Sequence, residues 1–189
     1  MTSVEEDAVH VLAIAGSLRK GSVNRALVRV AIQVAPPDVV VEDFGSLEGI
    51  PLYNEDMERD PPERVRLLKQ KVAAAGALLI ATPEYNYSVP GVLKNAMDWA
   101  SRPSGDNSFE DKPVGIMSAG GGMGGVRAQL HLRQICVYLN MHPVNKPQVA
   151  VAMAKSKLDS SGEFTDPAIR DGVKQLLVSL DAWTRRLKP

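Results

Sequence analysis

The sequence predicts an α/β fold in which five parallel strands form a doubly wound sheet, ordered 2-1-3-4-5, with helices on both faces. Along the 189 residues, short aliphatic runs alternate with stretches of helical periodicity, as in successive βαβ units. The runs are continuously apolar, which is typical of strands buried on both faces. No linker or repeat divides the chain, so we expect one domain over residues 1–189, with an ordered core at about 9–187.

The first four predicted strands are followed by glycine, proline or acidic residues, which favour turns over extended pairing. The five predicted strands cover residues 9–15, 39–41, 77–82, 113–119 and 148–153. Apolar residues spaced three and four apart predict helices over residues 27–34, 65–75, 93–100, 130–141 and 169–183. Pro90 fits the first turn of the third helix, and Pro167 fits the start of the last. The polar segments 102–112 and 155–165 are predicted as surface loops.

The composition excludes several classes of function. The 22 basic and 22 acidic residues cancel, which does not favour binding to nucleic acid or to a membrane surface. No apolar run approaches the roughly 18 residues of a membrane span. Residues 2–7 are acidic and lack the apolar centre of a signal peptide. We therefore expect a cytoplasmic protein whose partners are small molecules.

Cysteine and histidine provide no obvious reactive site. The single cysteine, Cys136, cannot form an internal disulfide, and the three histidines are too scattered for a metal-ligand cluster. Cys136 lies in an apolar helical stretch, which predicts a packed and inert thiol. His131 has no partner in the same stretch and is predicted to be structural. We expect no metal site and no catalytic acid or base.

The loop after the first strand is suited to an anion. In a sheet of this order, ligands bind beyond the carboxyl ends of strands one and three. This loop opens a helix, whose free N–H groups favour a phosphate, and Ser17, Ser22 and Asn24 add hydrogen-bond donors. Arg19 and its charged neighbours are all basic. We predict a phosphate site, the alternative being a turn that only caps the helix.

The same loop does not fit a nucleotide triphosphatase. Gly16 and Gly21 have the spacing of a Walker loop. However, Ser22 and Val23 stand where the lysine and the magnesium-binding hydroxyl are required. Walker-type chemistry is therefore not predicted.

The loop after the third strand is suited to a flat ligand. Between two prolines it holds two aromatic side chains, an amide and a carboxylate: Pro83, Glu84, Tyr85, Asn86 and Tyr87. Such a rigid, partly apolar surface favours a conjugated ring, although tyrosines beside prolines can also simply pack a loop. Together with a phosphate site one strand away, this loop indicates FMN, which a sheet of this order can bind.

The loop after the fourth strand is rich in glycine. Gly120, Gly122 and Gly125 match the dinucleotide pattern G-x-G-x-x-G, but the region about 20 residues further on lacks the required acid. We therefore do not predict a separate NAD site here. The glycines instead allow the backbone near Ser118, Gly120 and Gly121 to approach a ring system.

Two long motifs give the chain a recognisable family resemblance. It resembles the NADPH-dependent FMN reductase family, and within it the bacterial quinone and chromate reductases, from about residue 9 to residue 151. The motifs are Gly16-Ser17-Leu18-Arg19-x-x-Ser22-x-Asn24 and Pro83-Glu84-Tyr85-Asn86-Tyr87-Ser88-x-Pro90-Gly91-x-Leu93-Lys94-Asn95-Ala96-x-Asp98-Trp99, supported by segments 50–53, 131–134 and 145–147.

The resemblance implies a flavodoxin-like enzyme that binds FMN. It would pass electrons from NADPH or NADH to quinones, azo compounds, chromate or free flavin by a ping-pong hydride mechanism. The implied phosphate contacts are Ser17, Arg19, Ser22, Val23 and Asn24, and the implied ring contacts are Pro83, Glu84, Tyr85, Asn86, Tyr87, Ser118, Gly120 and Gly121. A homo-oligomer is also implied, and helix 130–141 is apolar around much of its circumference.

Two other functions fit parts of the pattern. A flavodoxin-type electron carrier would dock protein partners, but such carriers tend to be acidic and this chain is neutral. A sensor of phosphorylated ligands that binds no flavin would use the phosphate loop alone.

Overall fold

A computed structural model describes residues 8–187 and shows the predicted alternation of strands and helices. Residues 2–7, which argued against a signal peptide, lie outside this range. The elements are β1 (Val9–Ala15), α1 (Val23–Val34), β2 (Val39–Asp43), α2 (Glu63–Ala74), β3 (Ala77–Ala81), α3 (Gly91–Ala100), β4 (Pro113–Ala119), α4 (Val126–Tyr138), β5 (His142–Pro143), β6 (Val149–Val151) and α5 (Pro167–Leu187), with short 3-10 helices at Glu55–Met57 and Ala154–Lys157.

The sheet is parallel and runs β2-β1-β3-β4-β5, which confirms the predicted order. Its fifth position differs from the prediction, because two short strands share it. β5 pairs with the start of β4, and β6 pairs with its end. Pro143 and Pro147 have no N–H to donate to a ladder, so a single continuous strand cannot form there.

Two apolar cores enclose the sheet. One packs α1 and α5 against the sheet, and the other packs α2, α3 and α4 against the opposite face. All residues of β3 and β4 are buried, as their continuous apolar runs predict. Pro90 is the N-cap of α3 instead of lying in its first turn, because its backbone is extended. The carboxyl ends of β1, β3 and β4 therefore open at one edge of the molecule.

The two segments predicted as surface loops are each anchored in a core. Phe109 lies within 102–112 and Phe164 within 155–165, and both are fully buried. The second segment also begins in the 3-10 helix and contains a bridge between Leu158 and Phe164. A single buried aromatic in a polar stretch has no periodicity, so the sequence pattern did not reveal either anchor.

Asn95 and Trp99, both part of the family motif, hold the segment between β2 and α2. Asn95 Nδ2 and Trp99 Nε1 each donate to the carbonyl oxygen of Pro51 at 2.8 Å. Tyr53 N–H donates to Asn95 Oδ1 at 2.8 Å, and its ring packs edge-on against Trp99. The Tyr53 hydroxyl donates to Glu58, and this bond, with burial, raises the pKa of Tyr53 to about 12. These motif residues therefore stabilise the fold.

Asn24 joins α1 to the end of β4. Its Nδ2 donates to the carbonyl oxygen of Ala119 and its Oδ1 accepts from the Ala119 N–H, both at 2.9 Å. Ser22 caps the same helix, since its Oγ accepts from the N–H groups of Asn24 and Arg25. The buried carboxamide of Asn24 thus fixes the start of α1 beside the carboxyl end of β4.

Replacing Asn24 with alanine should destabilise the apoprotein. Asn24→Ala leaves a buried N–H and C=O of Ala119 unpaired, and each such group costs about 1–3 kcal/mol. We expect urea denaturation to show a loss of about 2–4 kcal/mol in the free energy of unfolding. The exposed Arg19→Ala is the control and should leave it unchanged; equal stability of both variants would contradict the structural role of Asn24.

Candidate functional site

A cavity of about 470 Å³ opens where β1, β3 and β4 end, which is within the usual size range of small-molecule sites. The three loops singled out in the sequence form most of its walls. The predicted residues that line it are Ser17, Arg19, Ser22, Val23, Asn24, Pro83, Glu84, Tyr85, Gly120 and Gly121.

Three predicted residues do not line the cavity. Asn86 and Tyr87 form the exposed tip of the turn after β3. Ser118 is fully buried; its hydroxyl donates to the carbonyl oxygen of Gly124 at 2.6 Å and accepts from Gln129 Nε2 at 2.7 Å. The Ser118 side chain therefore joins β4 to the start of α4, and its hydroxyl faces neither the cavity nor solvent.

The sequence reasoning missed one wall of the cavity. Ala119, Met153, Lys155 and Ser156 line it, and three of these belong to the segment after β6. The signal was available, because this segment also follows the carboxyl end of a strand. The polar composition of residues 155–165 instead predicts a surface loop, and Met153 falls at the end of the predicted fifth strand.

The loop after β1 offers donors suited to a phosphate. Ser17 and Ser22 are nearly buried, and their Oγ atoms already accept backbone N–H groups, which leaves each hydroxyl proton for a ligand. The Arg19 guanidinium is exposed and donates one long hydrogen bond of 3.5 Å to the carbonyl oxygen of Gly21. Hydroxyls, an exposed guanidinium and a helix N-terminus together match a phosphate monoester.

The turn after β3 is tight and strained. Tyr85 and Ser88 exchange two backbone hydrogen bonds of 3.0 Å, and the residues between them are left-handed, with φ of 50° at Asn86 and 68° at Tyr87. Asparagine tolerates this region, but an aromatic residue rarely adopts it. The guanidinium of Arg127 lies 3.7 Å from the centre of the Tyr87 ring and holds it in this position.

Arg127 also neutralises the carboxylate in the cavity. Its Nε donates to Glu84 Oε1 at 2.6 Å, and its backbone N–H donates to Glu84 Oε2 at 3.1 Å. Burial favours the neutral acid, but the hydrogen bonds and charge of Arg127 outweigh it and lower the pKa of Glu84. Glu84 is therefore a paired anion at neutral pH and does not act as a proton donor.

Packing explains two of the glycines after β4. Gly124 and Gly125 have φ of 60° and 88°, and a Cβ on Gly124 would lie 2.9 Å from the backbone N of Ala152. A Cβ on Gly125 would lie 2.8 Å from that of Ser118. Of the glycines in the pattern G-x-G-x-x-G, Gly125 is thus required by close packing, whereas Gly122 has open space on its Cβ side. Gly121 lines the cavity and has open space on its Cβ side, so a flat ligand can approach it closely.

His131 and Cys136 both have structural surroundings. His131 Nδ1 lies 3.0 Å from the Ser88 hydroxyl and supports the strained turn. Cys136 is buried, and burial raises the pKa of its thiol to about 12, so it is unreactive at neutral pH. Over residues 8–187, no cluster of three His, Cys, Asp or Glu side chains could hold a metal ion, and no helix has the length and hydropathy for crossing a membrane.

The cavity as a whole fits a flat molecule that carries a phosphate. Donors and a cation lie at the loop after β1, and an aromatic side chain, Tyr85, lies across the cavity with about half of its surface exposed. The open backbone at Gly121 adds space for a ring. The residues present therefore suit FMN.

Comparison with known proteins agrees with this geometry. The model of the NADPH-dependent FMN reductase family matches residues 9–156. The chain is 47% identical to an NAD(P)H-dependent FMN reductase of Pseudomonas aeruginosa, covering 96% of this chain and 98% of that protein. It is 38% identical to a quinone reductase of Escherichia coli K12, covering 96% and 98% respectively. The solved structure of the flavoenzyme NAD(P)H:(acceptor) oxidoreductase from Paracoccus denitrificans matches with a TM-score of 0.84 at 30% identity, covering 95% and 98%.

Removing Arg127 should raise the pKa of Glu84. In the wild type this pKa is lowered, so the ion pair contributes fully to stability above the ordinary value, and the contribution is lost as the pH falls through the lowered pKa. Arg127→Ala removes the side-chain hydrogen bond and the charge, whereas burial and the backbone N–H donors of residues 127 and 128 remain, so we expect the pKa of Glu84 to rise from its lowered value.

The measurement is a ¹³C NMR titration of the glutamate carboxyls. Arg133→Ala is a matched control on the same helix, because Arg133 donates to Val144 and Asn145. A Glu84 pKa that stays low without Arg127 would show that other groups stabilise the carboxylate.

Proposed function

We propose that the chain, which belongs to the NADPH-dependent FMN reductase family, is an enzyme that transfers two electrons from NADPH or NADH to quinones or similar acceptors. The transfer would take place in the cavity described above. The membership makes the chain an FMN-dependent oxidoreductase that uses NAD(P)H. Azo compounds, chromate and free flavin would be further acceptors, because each can take up electrons from a reduced flavin. The observation that carries the proposal is the cavity that joins a phosphate-suited loop to an aromatic surface.

The chain would hold FMN through the three loops. Ser17, Arg19 and Ser22 lie where they would bind the phosphate, with the start of α1 behind them. The segment 83–87 and the backbone at Gly120 and Gly121 would border the ring. FMN held by these residues would supply the chemistry of hydride transfer between NAD(P)H and the acceptor.

We further propose ping-pong kinetics, because one open place in the cavity serves both substrates in turn. The reaction balances as NADPH, a proton and a quinone giving NADP⁺ and a hydroquinone. Glu84 is neutralised by Arg127, so the proton would come from solvent. The reductant NADPH also fits the cytoplasmic location that the sequence predicts.

Steady-state kinetics test this proposal. We expect parallel double-reciprocal plots for NADPH and a quinone, and FMN as the flavin released on denaturation. Tyr85→Ala should raise KM for both substrates by about three- to tenfold, since aromatic stacking contributes about 0.5–1.5 kcal/mol. Val178→Ala, an exposed substitution on α5, is the control and should change neither KM.

Two results would contradict the proposal. Intersecting plots would show that both substrates bind together, which excludes one shared place. A flavoprotein that NADPH and NADH both fail to reduce would favour the electron carrier instead.

We also propose that the chain forms a homo-oligomer through the outer face of α4. Leu130, Val137 and Tyr138 lie on this face and are 57%, 81% and 78% exposed. Large apolar side chains grouped on one helix face are typical of a protein–protein interface. In a symmetric dimer the same face of a second copy would bury these side chains. A dimer or tetramer would follow.

Sedimentation velocity tests the interface. The wild type should sediment as a dimer or larger species, and Val137→Glu should shift it towards the 20.4 kDa monomer, because a charge would be buried against an apolar surface. Val178→Glu on α5 is the control and should keep the wild-type mass. A monomeric wild type at micromolar concentration would contradict the interface.

A further inference from the structure

The segment after β6 forms one wall of the cavity. The backbone of this segment is hydrogen-bonded to the glycine-rich loop after β4. Met153 N–H donates to the carbonyl oxygen of Gly121, and Ala154 N–H donates to that of Gly120, both at 2.9 Å. Met153 is left-handed, with φ of 50°, and this strained residue begins the 3-10 helix at Ala154–Lys157. These two bonds hold the backbone immediately before Lys155 at the cavity.

The same segment is anchored from the side of α1. Ala154 and Phe164 are buried in the core that α1 and α5 share. Arg29, on α1, donates to the Glu163 carboxylate and to the carbonyl oxygen of Gly162. The backbone around Lys155 is therefore held against α1 at both of its ends.

This anchoring places Lys155 at the phosphate end of the cavity. Ala154 packs in the same core as α1, whereas the turn after β3 leads into α3 on the opposite face of the sheet. In the sheet register Ala119 pairs with Val151, and Asn24 of α1 bonds to Ala119. The start of α1 thus lies one strand away from the strand that precedes Lys155.

The charges that line the cavity are two cations and one neutralised acid. Arg19 and Lys155 are the cations, and Glu84 is paired with Arg127 outside the cavity. Within residues 8–187, neither Arg19 nor Lys155 forms an ion pair with a carboxylate. A phosphate monoester carries a charge of about −1.5 to −2 at pH 7, which one guanidinium does not balance.

We propose that Lys155, from the wall formed by the segment after β6, binds the phosphate of FMN as its second cation, an inference that rests on the proposed function. The lysine stem is long and its ammonium is exposed, so the side chain can reach a phosphate as a point charge while its backbone stays fixed. Ser156 has a structural role, because its hydroxyl donates to the carbonyl oxygen of Met153 at 2.8 Å and so stabilises the turn.

The test is to titrate apoprotein with FMN and with riboflavin, which lacks the phosphate, and to follow flavin fluorescence. Lys155→Ala should raise the dissociation constant of FMN by about two- to fivefold, the range of a solvent-exposed ion pair. The dissociation constant of riboflavin should not change. Lys155→Arg keeps the charge and should retain most of the affinity for FMN. Lys157→Ala is the matched control, because Lys157 lies in the same 3-10 helix and does not line the cavity.

Several outcomes would overturn the inference. If Lys155→Ala leaves FMN binding unchanged while Arg19→Ala weakens it, Lys155 does not contact the phosphate, and the proposed function stands. Equal weakening of FMN and riboflavin would assign the lysine to the ring or to the wall. If Lys155→Ala leaves FMN binding unchanged and raises only the KM for NADPH, the lysine binds the co-substrate and not the phosphate of FMN. Failure of the wild type to bind FMN would instead contradict the proposed function. Thermal melting by circular dichroism checks that each variant is folded.

Discussion

The reciprocal hydrogen bonds between Asn24 and Ala119 determine the shape of the cavity. They hold the start of α1, with the hydroxyls of Ser17 and Ser22, against the end of β4. Ala119 pairs with Val151 of β6 in the sheet. The carbonyl oxygens of Gly120 and Gly121, which follow Ala119, accept hydrogen bonds from the start of the 3-10 helix that contains Lys155. Each wall of the phosphate end is therefore positioned relative to one buried carboxamide, which is a rigid arrangement for recognising a small ligand.

Arg127 organises the other end of the cavity. It binds the Glu84 carboxylate and at the same time packs on the ring of Tyr87, so one side chain both neutralises the acid and holds the strained turn. With Glu84 neutralised, the cavity is left with a positive charge from Arg19 and Lys155. The protein then contributes position and electrostatics, which agrees with a reaction whose hydride chemistry belongs to the cofactor.

Several residues of the family motifs act in the fold and lie away from the cavity. Asn95 and Trp99 anchor the segment near Pro51, and outside the motifs the hydroxyl of Ser118, an implied ring contact, joins β4 to α4. Gly124 and Gly125 permit close backbone packing. A long motif in such an enzyme therefore includes residues that shape the site indirectly, and the structure is needed to separate them from those that line it.

The sequence by itself determined the parallel sheet covered by helices on both faces and the two loops at the switch point, and the family resemblance supplied the strand order. Continuous apolar runs require burial on both faces, and a loop of Ser, Gly and Arg after such a run is a local feature of the chain. Only the tertiary structure decided that Pro143 and Pro147 divide the fifth strand position, that the Asn24 carboxamide is bound to Ala119, and that Lys155 lines the cavity. These features depend on contacts between residues far apart in the chain, which leave no periodic signal, because a side chain's partner there is set by how the layers pack.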